Sequence, residues 1–221
     1  MSPGITRGTP LSPGDAGRLR FVADDMTAVA LSGLAPERAT RIHDLIADVP
    51  DFPSPGILFK DITPLLADAE GLADVVEAFT RLALPDGNGG AGGIDLIAGM
   101  EARGFLLGTP VAHALGLGFL PLRKAGKLPP PTHSVSYDLE YGSASIELRS
   151  GTLTPGARVL IIDDVLATGG TAAAAAELVE QCGGVVAGLA FLIELEALHG
   201  RDKLQGHNVD TLLRVDTTSG E

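Results

Sequence analysis

The sequence is poor in several residue types, and each scarcity excludes a class of protein. Its 221 residues include one cysteine and no tryptophan. The single thiol, Cys182, excludes an internal disulfide, and its place after an apolar helical pattern indicates a packed side chain rather than a nucleophile. Lysine and arginine total 16 against 28 acidic residues, so the net charge is -12. Such a chain repels nucleic acid, and a phosphate-bearing ligand needs a local basic cluster or a metal ion.

Long apolar runs are lacking as well. The first twenty residues contain no continuous apolar segment of the kind a secretion signal needs. The longest later run, Val185 to Ile193, is too short to span a bilayer. We therefore expect a soluble, cytoplasmic protein with no membrane partner.

Several nucleotide and metal motifs are missing too. None of the five histidines has a partner at metal-ligand spacing, so we expect no zinc site. The chain has no Gly-x-x-x-x-Gly-Lys-Ser/Thr loop and no Gly-x-Gly-x-x-Gly after a strand. These absences argue against a Walker-type triphosphatase and against a dinucleotide-binding protein.

Residues 1–36 are rich in proline, glycine and serine and show no periodicity, which predicts a flexible N-terminal extension. Residues 37–221 are predicted to form one domain. From Glu37, apolar residues recur at three- and four-residue steps through Ile42, Leu45, Ile46 and Val49. This spacing predicts a helix that ends at the proline-rich stretch "PDFPSPG".

The rest of the chain alternates between short apolar runs and helical patterns, which predicts an α/β fold with a parallel β-sheet flanked by helices. The predicted strands are "IDLIAG", "LGFLPL", "ARVLII", "VVAGLAFLI" and "VDTLLRV". One segment, "SVSYDLEYGSASIELRS", instead has apolar residues at every second position on either side of a turn near Gly142. This pattern predicts a β-hairpin that projects from the α/β body.

Charged residues follow three of the predicted strands, and ligands of parallel sheets bind at the carboxyl ends of strands. Arg103 follows the first, a basic loop follows the second, and "DDVLATGGT" ends the third. Backbone N–H groups of a glycine-rich turn at a helix N-terminus suit a phosphate. Asp163 and Asp164 suit the vicinal hydroxyls of a sugar, so the pattern favours a ribose 5-phosphate over a purely structural turn.

Five motifs, in order, resemble the adenine branch of the type I phosphoribosyltransferases. They are "DFPSPGILFKDITPLL", "MEARGFLLG", "LRKAGKLP", "SYDLEYGSASIEL" and "VLIIDDVLATGGT". The resemblance implies the type I fold, with a small N-terminal hood region beside the sheet. It also implies transfer of a phosphoribosyl group from phosphoribosyl pyrophosphate to adenine, with Mg²⁺ as cofactor, held mainly by the donor and water. A homodimer is implied, since Arg123 in similar enzymes reaches the neighbouring subunit.

The resemblance also implies residue roles. Ribose and 5-phosphate binding falls to Asp163, Asp164, Ala167, Thr168, Gly169, Gly170 and Thr171. Pyrophosphate binding falls to Arg103, Arg123, Lys124 and Lys127. Adenine binding falls to Leu58, Phe59, Lys60 and Val165, with Lys60 equally compatible with an exposed surface cation. Glu140 matches a catalytic residue that manages the proton on the base, with Tyr141 beside it in the same loop.

Two other functions remain compatible with the sequence. A related transferase could use another purine base, because backbone readout of the base leaves no specificity side chain to identify. A non-catalytic regulator could use the same fold to sense phosphoribosyl pyrophosphate, although the chain shows no basic helix-turn-helix pattern.

Overall fold

The computed structural model describes residues 35–84, 93–138 and 142–215. Its α-helices are Pro36–Asp44 (α1), Thr63–Ala67 (α2), Ala69–Ala83 (α3), Arg103–Leu115 (α4) and Gly170–Gln181 (α5), with 3-10 turns at Glu196–Leu198 and Gly200–Leu204. Its strands are Ala47–Pro50 (β1), Leu58–Asp61 (β2), Leu96–Met100 (β3), Gly118–Lys124 (β4), Thr132–Asp138 (β5), Ser143–Arg149 (β6), Arg158–Leu166 (β7), Val185–Leu195 (β8) and Val209–Val215 (β9). None of the helices in these ranges is long and apolar enough to cross a membrane.

Seven strands form one sheet in the order β5-β6-β4-β3-β7-β8-β9. The five strands β4, β3, β7, β8 and β9 run parallel to one another. Strands β5 and β6 form an antiparallel edge beside β4. Strands β1 and β2 form a separate antiparallel pair on the N-terminal side of the chain. The predicted α/β fold, with a parallel sheet and flanking helices, is confirmed.

The central strands β3, β7 and β8 are buried on both faces, which explains why they read as nearly continuous apolar runs. In β7, Leu160 and Ile162 pack in the cluster that contains Leu107 of α4. Val159 and Ile161 pack in the opposite cluster, with residues of α5. Because both faces of β7 are covered, a ligand can reach this strand only at its ends.

The helix predicted from Glu37 to Val49 is only partly right. Helix α1 ends at Asp44, and Val49 lies in β1, where it pairs with Phe59 of β2. Apolar residues at 46 and 49 fit a helix period, but the pairing of Ala47–Pro50 with Leu58–Asp61 satisfies the backbone of both segments in a hairpin. Pairing with a distant strand therefore overrides the local helical pattern.

The predicted hairpin is confirmed as β5 and β6, which pair from Thr132 with Arg149 to Asp138 with Ser143. It joins the sheet through only two residue pairs with β4, Arg123 with Glu147 and Lys124 with Ile146. Most of the hairpin therefore extends beyond β4.

Candidate active site

Three neighbouring strands, β4, β3 and β7, bring their carboxyl ends to one edge of the sheet. Arg103 stands at the start of α4, just after β3, and Asp164 lies near the end of β7. Arg103 Nε forms an ion pair with Asp164 Oδ2. Two of the three charged loops predicted from the sequence are thus in direct contact.

Glycines bring the start of α4 onto β7. A Cβ atom on Gly104 would lie 2.6 Å from the carbonyl oxygen of Ile162 and 2.9 Å from Asp163 Oδ1. A Cβ atom on Gly99 of β3 would lie 2.6 Å from the carbonyl oxygen of Gly104. The peptide bond between Glu101 and Ala102, in the turn before α4, is cis. Only hydrogen at these two glycine positions lets Arg103 approach the acidic pair.

The acidic pair is largely withdrawn from water. Burial raises the pKa of Asp163 well above its usual range, and the charge of Asp164 raises it further. Burial also raises the pKa of Asp164, while Arg103 opposes that rise. Two neighbouring carboxyls with one cationic partner form a strongly acceptor-rich site. A ligand that brings hydroxyl donors or positive charge would stabilise their ionised forms.

The glycine-rich loop, residues 167–171, joins β7 to α5 beside these acids. Gly169 has φ +76°, in the left-handed region that favours glycine, and α5 begins at the next residue. No side chain in the described structure caps the first turn of α5. The N–H groups of that turn are therefore free for an anion.

A cleft of about 350 Å³ opens over this loop. It is lined by Met100, Asp163, Val165, Leu166, Ala167, Thr168, Gly169, Gly170, Thr171, Ala172 and Phe191. All five residues predicted to bind the 5-phosphate line one cavity together with one of the predicted ribose acids and Val165.

The predicted basic loop is arranged differently. Arg123 Nε donates to Glu101 Oε2 at 3.0 Å, and the backbone N–H of Lys124 donates to the same oxygen at 2.9 Å. The guanidinium of Arg123 lies 5.8 Å from the ring centre of Phe105, and its hydrogen bond to Glu101 lowers the pKa of that carboxyl. The side chains of Lys124 and Lys127 are exposed. Arg123 is therefore directed to Glu101, not to the acidic pair.

The predicted base-binding strand lies against Arg103. The guanidinium of Arg103 lies over the ring of Phe59, 5.2 Å from its centre. Phe52 packs edge-on against the same ring, with ring centres 5.2 Å apart. Lys60 is buried and forms an ion pair with Asp48 on the facing strand. The reading of Lys60 as an exposed cation was wrong, because the hairpin register places it opposite Asp48.

Glu140 and Tyr141 lie outside the described residues. Val165, half-buried, lines the cleft, and Leu58 is half-buried on β2.

Reasoning from sequence missed a charged cluster beside the glycine-rich loop. Arg201 donates to Glu194, Thr211 and the carbonyl oxygen of Val209. Glu194 lies near the end of β8 and pairs in register with Leu166 of β7. Because β8 adjoins β7, its carboxyl end lies at the same edge of the sheet. Ligands of parallel sheets bind at the carboxyl ends of the strands, so the end of the run "VVAGLAFLIEL" was the signal that pointed to Glu194.

The described residues do not build a metal cage. Within residues 35–84, 93–138 and 142–215, no group of three or more histidine, cysteine or carboxylate side chains has the arrangement of a metal site.

Sequence comparisons extend the likeness over most of the chain. The family model for the phosphoribosyl transferase domain matches residues 73–218. The adenine phosphoribosyltransferase of Clostridium perfringens is 55% identical over 175 residues, which cover 79% of this chain and 98% of that protein. The same enzyme of a Nocardioides species is 59% identical over 172 residues, which cover 77% of this chain and 91% of that one.

Solved structures give the same result in three dimensions. The adenine phosphoribosyltransferase of Thermoanaerobacter pseudethanolicus superposes with a TM-score of 0.75 at 47% identity, covering 80% of this chain and 99% of that one. The Saccharomyces cerevisiae enzyme, solved with an imino-altritol bisphosphate and adenine, superposes with a TM-score of 0.76 at 41% identity. That match covers 81% of this chain and all of the yeast chain.

Proposed function

The chain belongs to the phosphoribosyl transferase family, among its adenine-specific members, and from that premise we propose how its site works. The reaction is that of an adenine phosphoribosyltransferase, a pentosyltransferase of purine salvage: adenine and 5-phosphoribosyl 1-pyrophosphate give AMP and pyrophosphate. The observation that carries the assignment of roles is the ion pair of Arg103 with Asp164, whose neighbour Asp163 lines the cleft over the glycine-rich loop. It joins a cation, a pair of acids and an anion cradle at one edge of the sheet.

We propose that the donor spans this edge. Its 5-phosphate binds the loop of residues 167–171 and the first turn of α5. The ribose hydroxyls donate to Asp163 and Asp164, whose burial makes such donors strongly favourable. The pyrophosphate binds Arg103, with Arg123, Lys124 and Lys127 joining from the basic loop.

The chemical step breaks the bond between C1 of the ribose and the pyrophosphate oxygen and forms the bond from C1 to N9 of adenine. Positive charge develops on the sugar and negative charge on the pyrophosphate. Arg103 then interacts more strongly with the leaving group than with the bound donor, while the acids face the cationic sugar. The proton lost from N9 passes to Glu140, acting as general base.

Adenine binds between β2 and the cleft in this proposal. The ring of Phe59 and the side chains of Leu58 and Val165 contact its faces, and backbone groups near Leu58 and Lys60 read its edge. Tyr141 is proposed to act beside Glu140 in this reaction. The ion pair of Lys60 with Asp48 holds the strand that presents this backbone.

Mg²⁺ is proposed to arrive with the donor, bound mainly by the donor's oxygens and water. The working protein is proposed to be a cytoplasmic homodimer in which Arg123 of one subunit serves its neighbour.

The test is product formation from purified protein, Mg²⁺, phosphoribosyl pyrophosphate and adenine. We expect AMP and pyrophosphate in equal amounts, with no product when the donor is omitted. Tight donor binding without turnover on any purine would contradict the assignment and favour a sensor of the donor.

A further inference from the structure

The glycine-rich loop rests directly on the 3-10 turn that begins at Gly200. A Cβ atom on Gly169 would lie 2.2 Å from the carbonyl oxygen of Gly200, and one on Gly200 would lie 2.2 Å from the carbonyl oxygen of Ala167. Two backbones in such contact move together, because neither has a side chain that can yield. The position of the loop therefore depends on what holds Gly200.

Arg201, the next residue, holds this turn with all three nitrogens of its guanidinium. Nε donates to Glu194 Oε1 at 2.5 Å, Nη1 to the carbonyl oxygen of Val209 at 2.7 Å, and Nη2 to Thr211 Oγ1 at 3.3 Å. These partners lie on β8 and β9, two paired parallel strands of the sheet. A planar guanidinium with donors on every side fits this set of acceptors, whereas an ammonium group does not.

Glu194 completes the connection to the loop. It is buried and also accepts from Thr211 Oγ1 at 3.2 Å. It pairs in register with Leu166, the last residue of β7 before the loop. The network thus fixes both supports of the loop, the strand end before it and the turn beneath it.

We propose that Arg201 is a positioning residue for the 5-phosphate, acting through Glu194, Thr211 and Gly200 to fix the N–H groups of the glycine-rich loop. It touches no substrate. The inference rests on the proposed function, because it assigns the loop to the 5-phosphate. Its consequence is selective: the network should affect ligands that carry a 5-phosphate and leave the pyrophosphate site near Arg103 unchanged.

The test compares the affinities of the two products, AMP and Mg²⁺-pyrophosphate, by isothermal titration calorimetry. The variant is Arg201→Lys, which keeps a charge beside buried Glu194 but loses the planar set of donors. The matched control is Arg214→Lys, because Arg214 also faces Glu194, at 3.5 Å, but does not support the Gly200 turn.

We expect Arg201→Lys to weaken AMP binding by about 10- to 100-fold, as small misplacements of binding groups do. Pyrophosphate affinity should stay within about twofold, since separate sites are nearly independent. Arg214→Lys should leave the affinities for AMP and for pyrophosphate within about twofold of the wild-type values. Unchanged AMP binding in Arg201→Lys, or an equal loss for both ligands, would overturn the inference.

Thr211→Val provides a second variant if Arg201→Lys does not fold. It removes the hydroxyl between Arg201 and Glu194 with little change in shape, and a smaller loss confined to AMP is expected. AMP affinity equal to that of the wild type would then overturn the inference. A wild-type protein that binds neither product would overturn the proposed function, and this inference with it.

Discussion

At the scale of single residues, Asp163 and Asp164 are placed where the proposed function costs stability. Both carboxyls are held in a site where burial raises their pKa values, and Arg103 pairs with only one of them. A folded protein that keeps two such groups together loses stability at neutral pH. Ligand hydroxyls that donate to these acids offset that loss when the donor binds.

Asp163→Asn should therefore stabilise the free protein while impairing catalysis. We expect the melting temperature at pH 7 to rise by on the order of a few degrees. The kcat/KM for phosphoribosyl pyrophosphate should fall by about 10- to 100-fold, the range for losing a hydrogen bond to a charged group. Asp44→Asn, at an exposed aspartate on α1, is the control and should change neither. A destabilised Asp163→Asn protein would contradict this account.

The pH dependence of stability follows from the same groups. The folded pKa of Asp163 lies above its ordinary value of 3.8, so on acidification the folded state takes up its proton before the unfolded state does. This contribution to stability therefore rises as the pH falls from the folded pKa toward the ordinary value. Urea unfolding at a series of pH values should show that rise in the wild type and a weaker one in Asp163→Asn. The same slope in both proteins would argue against a raised pKa.

Glu140→Gln tests the proposed proton acceptor. We expect turnover to fall by on the order of 10² to 10⁴, the usual contribution of a general base, with little change in donor affinity. Glu180→Gln, an exposed glutamate on α5, is the matched control. Single-turnover chemistry at the wild-type rate in Glu140→Gln would remove Glu140 from the mechanism.

Among the elements, the contact of α4 with β7 positions Arg103. Both Gly104 and Gly108 lie on α4, but their surroundings differ. A Cβ on Gly104 would meet the backbone of Ile162, whereas one on Gly108 would meet the side chain of Phe119 at 2.9 Å. A ring can rotate away, but a central strand cannot.

Gly104→Ala should accordingly cost more than Gly108→Ala. We expect Gly104→Ala to lower the free energy of unfolding by about 1–3 kcal/mol, the usual cost of overpacking. It should also weaken pyrophosphate binding, since Arg103 moves with the helix. Gly108→Ala should cost less, because alanine favours a helix over glycine by about 1 kcal/mol. If urea unfolding shows that both variants lose the same free energy of unfolding, the contact of Gly104 with the backbone of β7 does not limit this position.

Elements with strong local signals were predictable from the sequence. The runs that became β3, β7 and β8 are mostly apolar because both faces of the sheet are covered there. The boundary between α1 and β1 was not predictable, because Ile46 and Val49 fit both a helix and a strand. The pair of Lys60 with Asp48 was also hidden, since it depends on a hairpin register that no local pattern reveals.

At the scale of the whole molecule, strand order decides which loops meet. The acid pair and the glycine-rich loop were visible as one continuous motif, and Asp163 lines one cleft with that loop. The contact of Arg103 with Asp164 needs β3 beside β7, which is a non-local feature. The Glu194 and Arg201 network depends in the same way on β8 adjoining β7.

Residues 1–34 are predicted to be dispensable for the reaction. The relatives are matched almost completely by about four fifths of this chain, so their activity needs no counterpart of the remainder. Removal of residues 1–34 should leave kcat/KM within about twofold of the value for the full chain. Removal of residues 1–44 should destabilise the protein, because Arg38 and Arg41 of α1 both pair with Asp74 of α3. A shorter deletion that abolishes turnover would contradict this.

The most direct test of the central claim is kcat/KM for four purines at saturating phosphoribosyl pyrophosphate and Mg²⁺. Adenine, hypoxanthine, guanine and xanthine would be compared on the same protein preparation, with detection of the nucleotide formed. The account predicts a strong preference for adenine, with AMP as the product. Turnover of a 6-oxopurine in place of adenine would contradict it.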